Sequence, residues 1–311
     1  MILHGFVEYD RIGMFMIRRQ KFLVVGGDGV IGAALVEATA QHGYDVITTT
    51  RSLDSVSQNR VYLDLTDIAA FKLPPDVDYC FIVAAATRFD LCENDPIAQR
   101  INLEYIPDLA KRLLAAGVFV SFISTNSVFG GEVPWPHEDD PHHPGIAYAQ
   151  QKSEAEKRIA QSALQMSAAD RLNVVRFAKV LAADTPPLPG WLGAWGRGEV
   201  VEPFSDMIFA PMSLHYVTSA LIKIAEARVS GNLHLSGAEN ISYADFAQSL
   251  AKFLRIDQKR IAPTKSVDKG VHLAFKPSYS GMGMVRTTAL TGIEPQTLSH
   301  VFRDLFSTSP S

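Results

Sequence analysis

From residue 22 onward, short apolar runs alternate with longer amphipathic stretches. The runs at 22–25, 45–50, 61–63, 77–86, 118–124, 172–177 and 231–235 have the length and β-branching of strands buried on both faces. Between them lie helical patterns. One covers 33–41 and stops at Gly43. A second runs from Pro96 to Gly117 with Asn102 inside it. Others cover 148–165 and 214–227. Ser242 is placed to cap a further helix, with Asp245 three residues on, and 298–306 closes the chain. Strands alternating with helices over short links predict an α/β fold: a Rossmann-type, doubly wound parallel sheet.

The alternation breaks at Ala182. Pro186, Pro187 and Pro189 come first, followed by Trp191, Trp195, Gly196 and Gly198. This change of texture predicts a smaller C-terminal substrate lobe, built from 182–213 and 236–311, over the carboxyl ends of the strands. Residues 16–181 and 214–235 are assigned to the dinucleotide-binding domain. Residues 1–15 read as a mis-called start or a disordered extension, since they hold Glu8, Asp10 and Arg11 and no apolar signal core.

Composition narrows the function classes. The chain has 311 residues, of which 47% are apolar and 20% charged, enough for a full core. A net charge of −4 without a basic cluster gives no support for a nucleic-acid partner. No apolar run is long enough to span a bilayer, so no membrane is expected. Cys80 falls in a strand pattern and Cys92 in a polar loop, which suits a reducing, cytoplasmic setting. His137, His142 and His143 read as surface histidines of one acidic loop, and no metal is expected. A homodimer stays open as an assembly.

The candidate chemistry begins at the first strand. Gly26, Gly29 and Gly32 follow it at a spacing of three and open the first helix. Gly26 permits the turn, Gly29 admits a pyrophosphate close to the backbone, and Gly32 lets helix and strand pack. Asp28, Val30 and Ile31 share that loop. Arg51 ends the second strand, where a cation favours the 2′-phosphate of NADP over the bare ribose of NAD. Ser124 and Thr125 leave the fifth strand with hydroxyls able to hold a carbonyl oxygen. Tyr148 and Lys152, at i and i+4, share one helix face. An ammonium there is expected to lower the tyrosine pKa and fit it to protonate a ketone as a nicotinamide delivers hydride. Three alanines, Ala84, Ala85 and Ala86, leave room for a flat ligand at the sheet edge.

Taken together, Gly26-x-x-Gly29-x-x-Gly32, Asp64-Leu65-Thr66-Asp67, Ala84-Ala85-Ala86-Thr87, Ser124-Thr125-x-x-Val128-Phe129-x-Gly131 and Tyr148-x-x-x-Lys152 resemble the extended short-chain dehydrogenase/reductases. Within them the chain looks most like the dTDP-4-dehydrorhamnose reductase group. The resemblance implies a catalytic trio of Thr125, Tyr148 and Lys152. It also implies cofactor contacts from the glycine loop, Arg51, Asp64, Leu65 and Ala84–Ala86, with NADP as cofactor and NAD as the alternative. The implied substrate is a nucleotide-linked 4-keto-6-deoxy sugar, serving deoxysugar or polysaccharide synthesis. Ser124, Asn126, Trp191 and Arg286 are the further substrate candidates, Arg286 for a diphosphate, while Trp191 reads equally as lobe core. Asn126-Ser127 stands where the group has Asp-Tyr, and Ala178-Lys179 where it has Ser/Thr-Trp. Two alternatives remain. An epimerase or dehydratase would retain NAD, against Arg51, and a dehydratase would want an acidic pair at Asn126-Ser127. A non-catalytic NADP-binding regulatory relative would not need Tyr148 or Lys152.

Overall fold

The computed structural model describes residues 18–306, so the extension expected at residues 1–15 lies outside the described residues. The strands are β1 Lys21–Val25, β2 Asp45–Thr50, β3 Arg60–Tyr62, β4 Tyr79–Ile82, β5 Phe119–Thr125, β6 Leu172–Phe177, β7 Lys179–Leu181, β8 Ile208–Phe209, β9 Pro211–Ser213, β10 Gly231–Leu235 and β11 Ile241–Ser242. The helices are α1 Val30–Gln41, α2 Phe89–Asn94, α3 Pro96–Arg100, α4 Ile106–Ala115, α5 Ala147–Gln165, α6 Leu188–Gly196, α7 Leu214–Ala227, α8 Tyr243–Phe253, α9 Val285–Thr291 and α10 Leu298–Phe306.

Seven strands form one parallel sheet in the order β10-β6-β5-β4-β1-β2-β3. The order reverses between β1 and β4, which opens a crevice at their carboxyl ends where ligands of such sheets bind. The pattern 22–25 became β1 because both faces of that strand are covered. Phe22 and Val24 pack with Leu35, Phe81 and Leu221, whereas Leu23 and Val25 pack with Ile82, Leu109 and Ile159. A third apolar cluster joins Trp191, Trp195, Phe209, Tyr243, Phe246 and Phe302, with Phe209 stacked on Tyr243 at 4.1 Å. Met282, Met284 and Ile293, from the segment assigned to the lobe, pack instead with β10 and α7.

Three expectations need correction. The strand expected over 77–86 stops at Ile82. Val83 and Ala84 both turn their N–H groups to the Val25 carbonyl, at 3.0 and 2.9 Å, so the alanines leave the sheet as a loop across β1. The helix expected from Pro96 to Gly117 contains a π-turn, Ile101–Tyr105, between α3 and α4. Pro107 cannot donate to the Leu103 carbonyl, and Arg158 of α5 takes that acceptor at 2.7 Å. A wide turn of this kind re-aims side chains, and here it carries the buried Asn102. Helix α2 had no counterpart among the expected elements. It buries Cys92, which was expected in a polar loop.

Candidate active site

At the crevice, the glycine loop is braced by the three threonines that end β2. Thr49 Oγ1 accepts from Gly26 N at 3.0 Å, Thr48 Oγ1 donates to Val24 O at 3.0 Å, and Thr50 Oγ1 donates to Asp28 at 3.0 Å. Gly26 has φ +102°, and a Cβ there would sit 2.8 Å from Ala84 N. A Cβ on Gly32 would meet the Gly26 carbonyl at 2.1 Å. Gly29 differs, since the nearest atom to its Cβ position is Gly26 O at 3.5 Å. The loop is therefore packed hard on its protein side and open at Gly29, where α1 begins without a side-chain cap. The first N–H groups of that helix have no intrahelical partners. With the helix dipole they make an N-terminus suited to a dinucleotide pyrophosphate.

Beside it, the Asp28 carboxylate accepts from Thr50 Oγ1, from Arg51 N at 3.2 Å and from the Arg60 guanidinium. Burial pushes its pKa up, but these donors outweigh burial and hold it below the ordinary carboxylate range. Arg51 is exposed. Asp64 caps the short 3₁₀ turn Leu65–Ala70, accepting from Thr66 N and Thr66 Oγ1 at 2.8 Å each. Those two bonds, with the Arg51 charge nearby, keep its pKa low. On the far side of β1, the loop of Ala84, Ala85 and Ala86 is clamped by Asn102. Its amide oxygen accepts from Ala86 N at 3.0 Å, and its NH₂ donates to Ala86 O at 2.9 Å and Gln151 Oε1 at 2.9 Å. Gln151 in turn donates to Cys92 O at 2.6 Å. The alanine loop, the π-turn, α2 and α5 are thereby tied into one unit.

Helix α5 carries Tyr148 and Lys152, and Thr125 ends β5. The Tyr148 ring lies half-buried, 5.6 Å from Phe89 of α2. Burial pushes its pKa up to about 12, and the neighbouring Thr125 hydroxyl pulls the other way. Lys152 is 3% exposed. Its ammonium donates to Ile123 O at 2.6 Å and lies 3.9 Å from the centre of the Phe122 ring. Burial lowers its pKa to about 7, against the carboxylate of Glu156 one turn further on. The expected depression of the tyrosine pKa by Lys152 is thus corrected. Each group sits in a poorly solvated site, so each is pushed toward its neutral form. Thr125 Oγ1 accepts from Ser127 N at 3.2 Å and stays partly exposed at the crevice.

The remaining candidates are placed elsewhere. Ser124 does not reach the crevice, because its hydroxyl donates to the buried Glu156. Glu156 also takes Arg176 Nη2 at 2.7 Å, while Arg176 Nη1 donates to Glu138 O at 2.9 Å and His234 Nε2 at 3.1 Å. His234 Nδ1 faces Gly283 O at 2.8 Å, so it is the protonated nitrogen, and burial beside Arg176 lowers its pKa to about 3. His142, expected on the surface, is half-buried with Nε2 3.7 Å from Glu156. Asn126 donates to Ser280 O at 2.8 Å and Ser280 Oγ at 2.9 Å, bracing a loop of the carboxyl third. Trp191 is buried in the lobe's aromatic cluster. Arg286 pairs with Asp139, and its backbone N donates to Glu138 Oε1 at 3.0 Å, so its guanidinium is already engaged.

Sequence reasoning missed Arg60, the bracing threonines, the Asn102–Gln151 clamp and the Glu156–Arg176 network. The i+4 step from Lys152 to Glu156 was a visible signal, as was the threonine triplet. Nothing in the sequence announces that Arg60 reaches Asp28.

A glycine cradle at the switch point of a doubly wound sheet, with a Tyr-x-x-x-Lys helix across the crevice, defines an extended short-chain dehydrogenase/reductase. The chain belongs to the family described as the RmlD substrate binding domain, whose model matches residues 20–308. It is 26% identical over 286 residues to dTDP-4-dehydrorhamnose reductase of Mycolicibacterium smegmatis, covering 90% of this chain and 82% of that protein. It is also 23% identical over 274 residues to methionine adenosyltransferase 2 subunit beta of Bos taurus, covering 79% of this chain and 76% of that one. A crystal structure of dTDP-4-dehydrorhamnose reductase from Bacillus anthracis str. Ames in complex with NADP superposes with a TM-score of 0.76. It shares 18% identity and covers 93% of this chain and 98% of that chain, a likeness of fold. Among the described residues, no helix is long and apolar enough to cross a membrane.

Proposed function

We propose that this chain is an NADP-dependent reductase of a nucleotide-activated 4-keto-6-deoxy sugar, with NAD as the lesser cofactor. The observation that supports the reading is the Thr125 hydroxyl at the end of β5 beside that of Tyr148, with Lys152 one turn further along α5. When bound, the nicotinamide supplies the hydride. The chain's own groups do the rest. The glycine loop and the α1 N-terminus hold the pyrophosphate, and Arg51 faces the 2′-phosphate. Thr125 orients the substrate carbonyl through its hydroxyl. Tyr148, kept protonated by burial, gives its proton to the carbonyl oxygen as carbon is reduced. Lys152 lies one turn along α5, and in its protonated form it stabilises the tyrosinate that the transfer leaves.

The regulatory alternative has one specific support, the likeness to a subunit of methionine adenosyltransferase. A single experiment separates the readings. Purified protein is titrated with NADPH and NADH beside an Arg51→Ala variant, then assayed by NADPH oxidation against a panel of 4-keto nucleotide sugars. Tight NADPH binding that weakens in Arg51→Ala, with turnover on one panel member, is the expected result. Binding without turnover on any member favours the regulatory reading. NAD retained through purification favours the epimerase reading.

A further inference from the structure

The end of β2 holds a charge arrangement that the cofactor reading does not use. Arg60 lies on the edge strand β3, opposite Thr48 of β2, and reaches back to the glycine loop to pair with Asp28. The pair is partly solvated, with side chains 38% and 42% exposed. The fit is incomplete on the arginine side. Arg60 Nε is buried and has no hydrogen-bond partner among the described residues. Arg51, one residue beyond Thr50, bonds the same carboxylate through its backbone N–H and leaves its guanidinium out of every ion pair among the described residues. The Asp28 carboxylate therefore occupies the Arg60 guanidinium beside the Arg51 backbone, with the exposed Arg51 charge close to Asp64.

A carboxylate and a phosphate offer an arginine the same acceptor geometry. We propose that Arg60 is a second specificity residue for the adenosine 2′-phosphate, and that Asp28 stands in for that phosphate in its absence. This rests on the cofactor reading above. NADP(H) binding then exchanges the Asp28–Arg60 pair for a phosphate–Arg60 pair, beside Arg51. The exchange has two opposing consequences. Arg60 adds a cation for NADPH. Asp28 holds that cation back, repels the incoming dianion, and accepts from the ribose hydroxyls of NADH. The chain's preference for NADPH is thus smaller than two arginines alone would give, and it uses both cofactors.

The test is calorimetric titration of the full chain with 2′,5′-ADP and 5′-ADP, probes that lack the nicotinamide, and with NADPH and NADH. Wild type is compared with Arg60→Ala, Arg60→Met, Arg51→Ala and Asp28→Asn. Arg60→Met keeps the aliphatic stem and serves if Arg60→Ala loses the fold. Loss of the Arg60 cation is expected to weaken 2′,5′-ADP and NADPH by about tenfold or more, the scale of one charge-assisted bond, and to leave 5′-ADP and NADH within about threefold. Asp28→Asn is expected to raise the NADPH-to-NADH ratio. The proposal is overturned if the Arg60 variants change both cofactors alike or neither, or if Asp28→Asn lowers the ratio. If Arg51→Ala alone collapses the ratio, the Arg60 assignment falls and the cofactor reading stands. If wild type binds no dinucleotide at all, the cofactor reading falls first.

Discussion

The two ends of the crevice are held by different means. At the cofactor end the glycine loop is fixed by its own backbone and by β2, which follows it within the first βαβ unit. Thr49 lies 23 residues from Gly26, and Thr50 lies 22 from Asp28. At the other end, where the carboxyl third meets the sheet, order comes from contacts that reach across the whole chain. Asn126 holds Ser280 from 154 residues away, the Gly131 carbonyl takes the N–H groups of Ser278 and Tyr279 at 3.0 and 2.9 Å, and Gln296 ties Ser213 to Asp304. A local site is written in contiguous sequence. A non-local one is written in the packing of a lobe that a motif does not describe.

The seam between the two ends should be the most sensitive point. Tyr148→Phe removes one hydroxyl and leaves the ring against Phe89. Turnover on the keto sugar is expected to fall by about 10²- to 10⁴-fold, the contribution of a general acid. The NADPH dissociation constant, measured by titration, should stay within about threefold. Turnover within tenfold of wild type would remove Tyr148 from the chemistry and leave the two ends without a common centre.

A comparable loss, of stability this time, belongs to the lobe. Trp191 is buried among Trp195, Tyr243 and Phe246. Trp191→Ala should cost about 3–5 kcal/mol in urea unfolding, as large-to-small changes in aromatic cores do. NADPH affinity of the folded fraction should not move, because the proposed cofactor contacts lie outside that cluster. A large affinity loss would show that the lobe sets the cofactor end, so that the two ends are not held independently. Gly32→Ala makes the reverse test with a smaller energy. Its Cβ would press on a backbone carbonyl at 2.1 Å, an overpacking worth about 1–3 kcal/mol. That strain falls on the phosphate cradle, so NADPH binding should weaken at least about tenfold, while a substrate or nucleotide-sugar product binds the variant as it binds wild type.

The same contrast explains what was legible in advance. The sheet, α7 and α10 follow from apolar period, and the glycine cradle follows from its spacing. Tyr148 and Lys152 come together because i and i+4 share a helix face. What escaped depends on partners distant in sequence. Cys92 is covered by α5, whose Gln151 donates to its carbonyl from 59 residues away. Arg286 is taken up by Asp139, 147 residues earlier. The pKa of Tyr148 was misjudged for a related reason. A neighbouring charge is visible in the spacing Tyr-x-x-x-Lys, but the depth of burial that outweighs it is not.

That burial leaves a smaller, measurable mark on stability. Lys152 titrates near 7 in the folded chain and near 10.4 when unfolded. Between those values the unfolded chain holds a proton that the native chain has released. The slope of unfolding free energy with pH is therefore positive across that window. Below about pH 7 both states are protonated and Lys152 contributes no slope. From pH 7 to 9 wild type should gain stability relative to Lys152→Met by up to about 1.4 kcal/mol per pH unit, read as the difference between their urea midpoints at pH 6, 7, 8 and 9. Every other titrating group whose environment the substitution spares cancels in that difference. Parallel curves for the two proteins would mean that Lys152 keeps its proton through the window, held by Ile123 O and the Glu156 charge. Tyr148 would then face a full ammonium after all, and the depressed tyrosine pKa expected from the sequence would be restored.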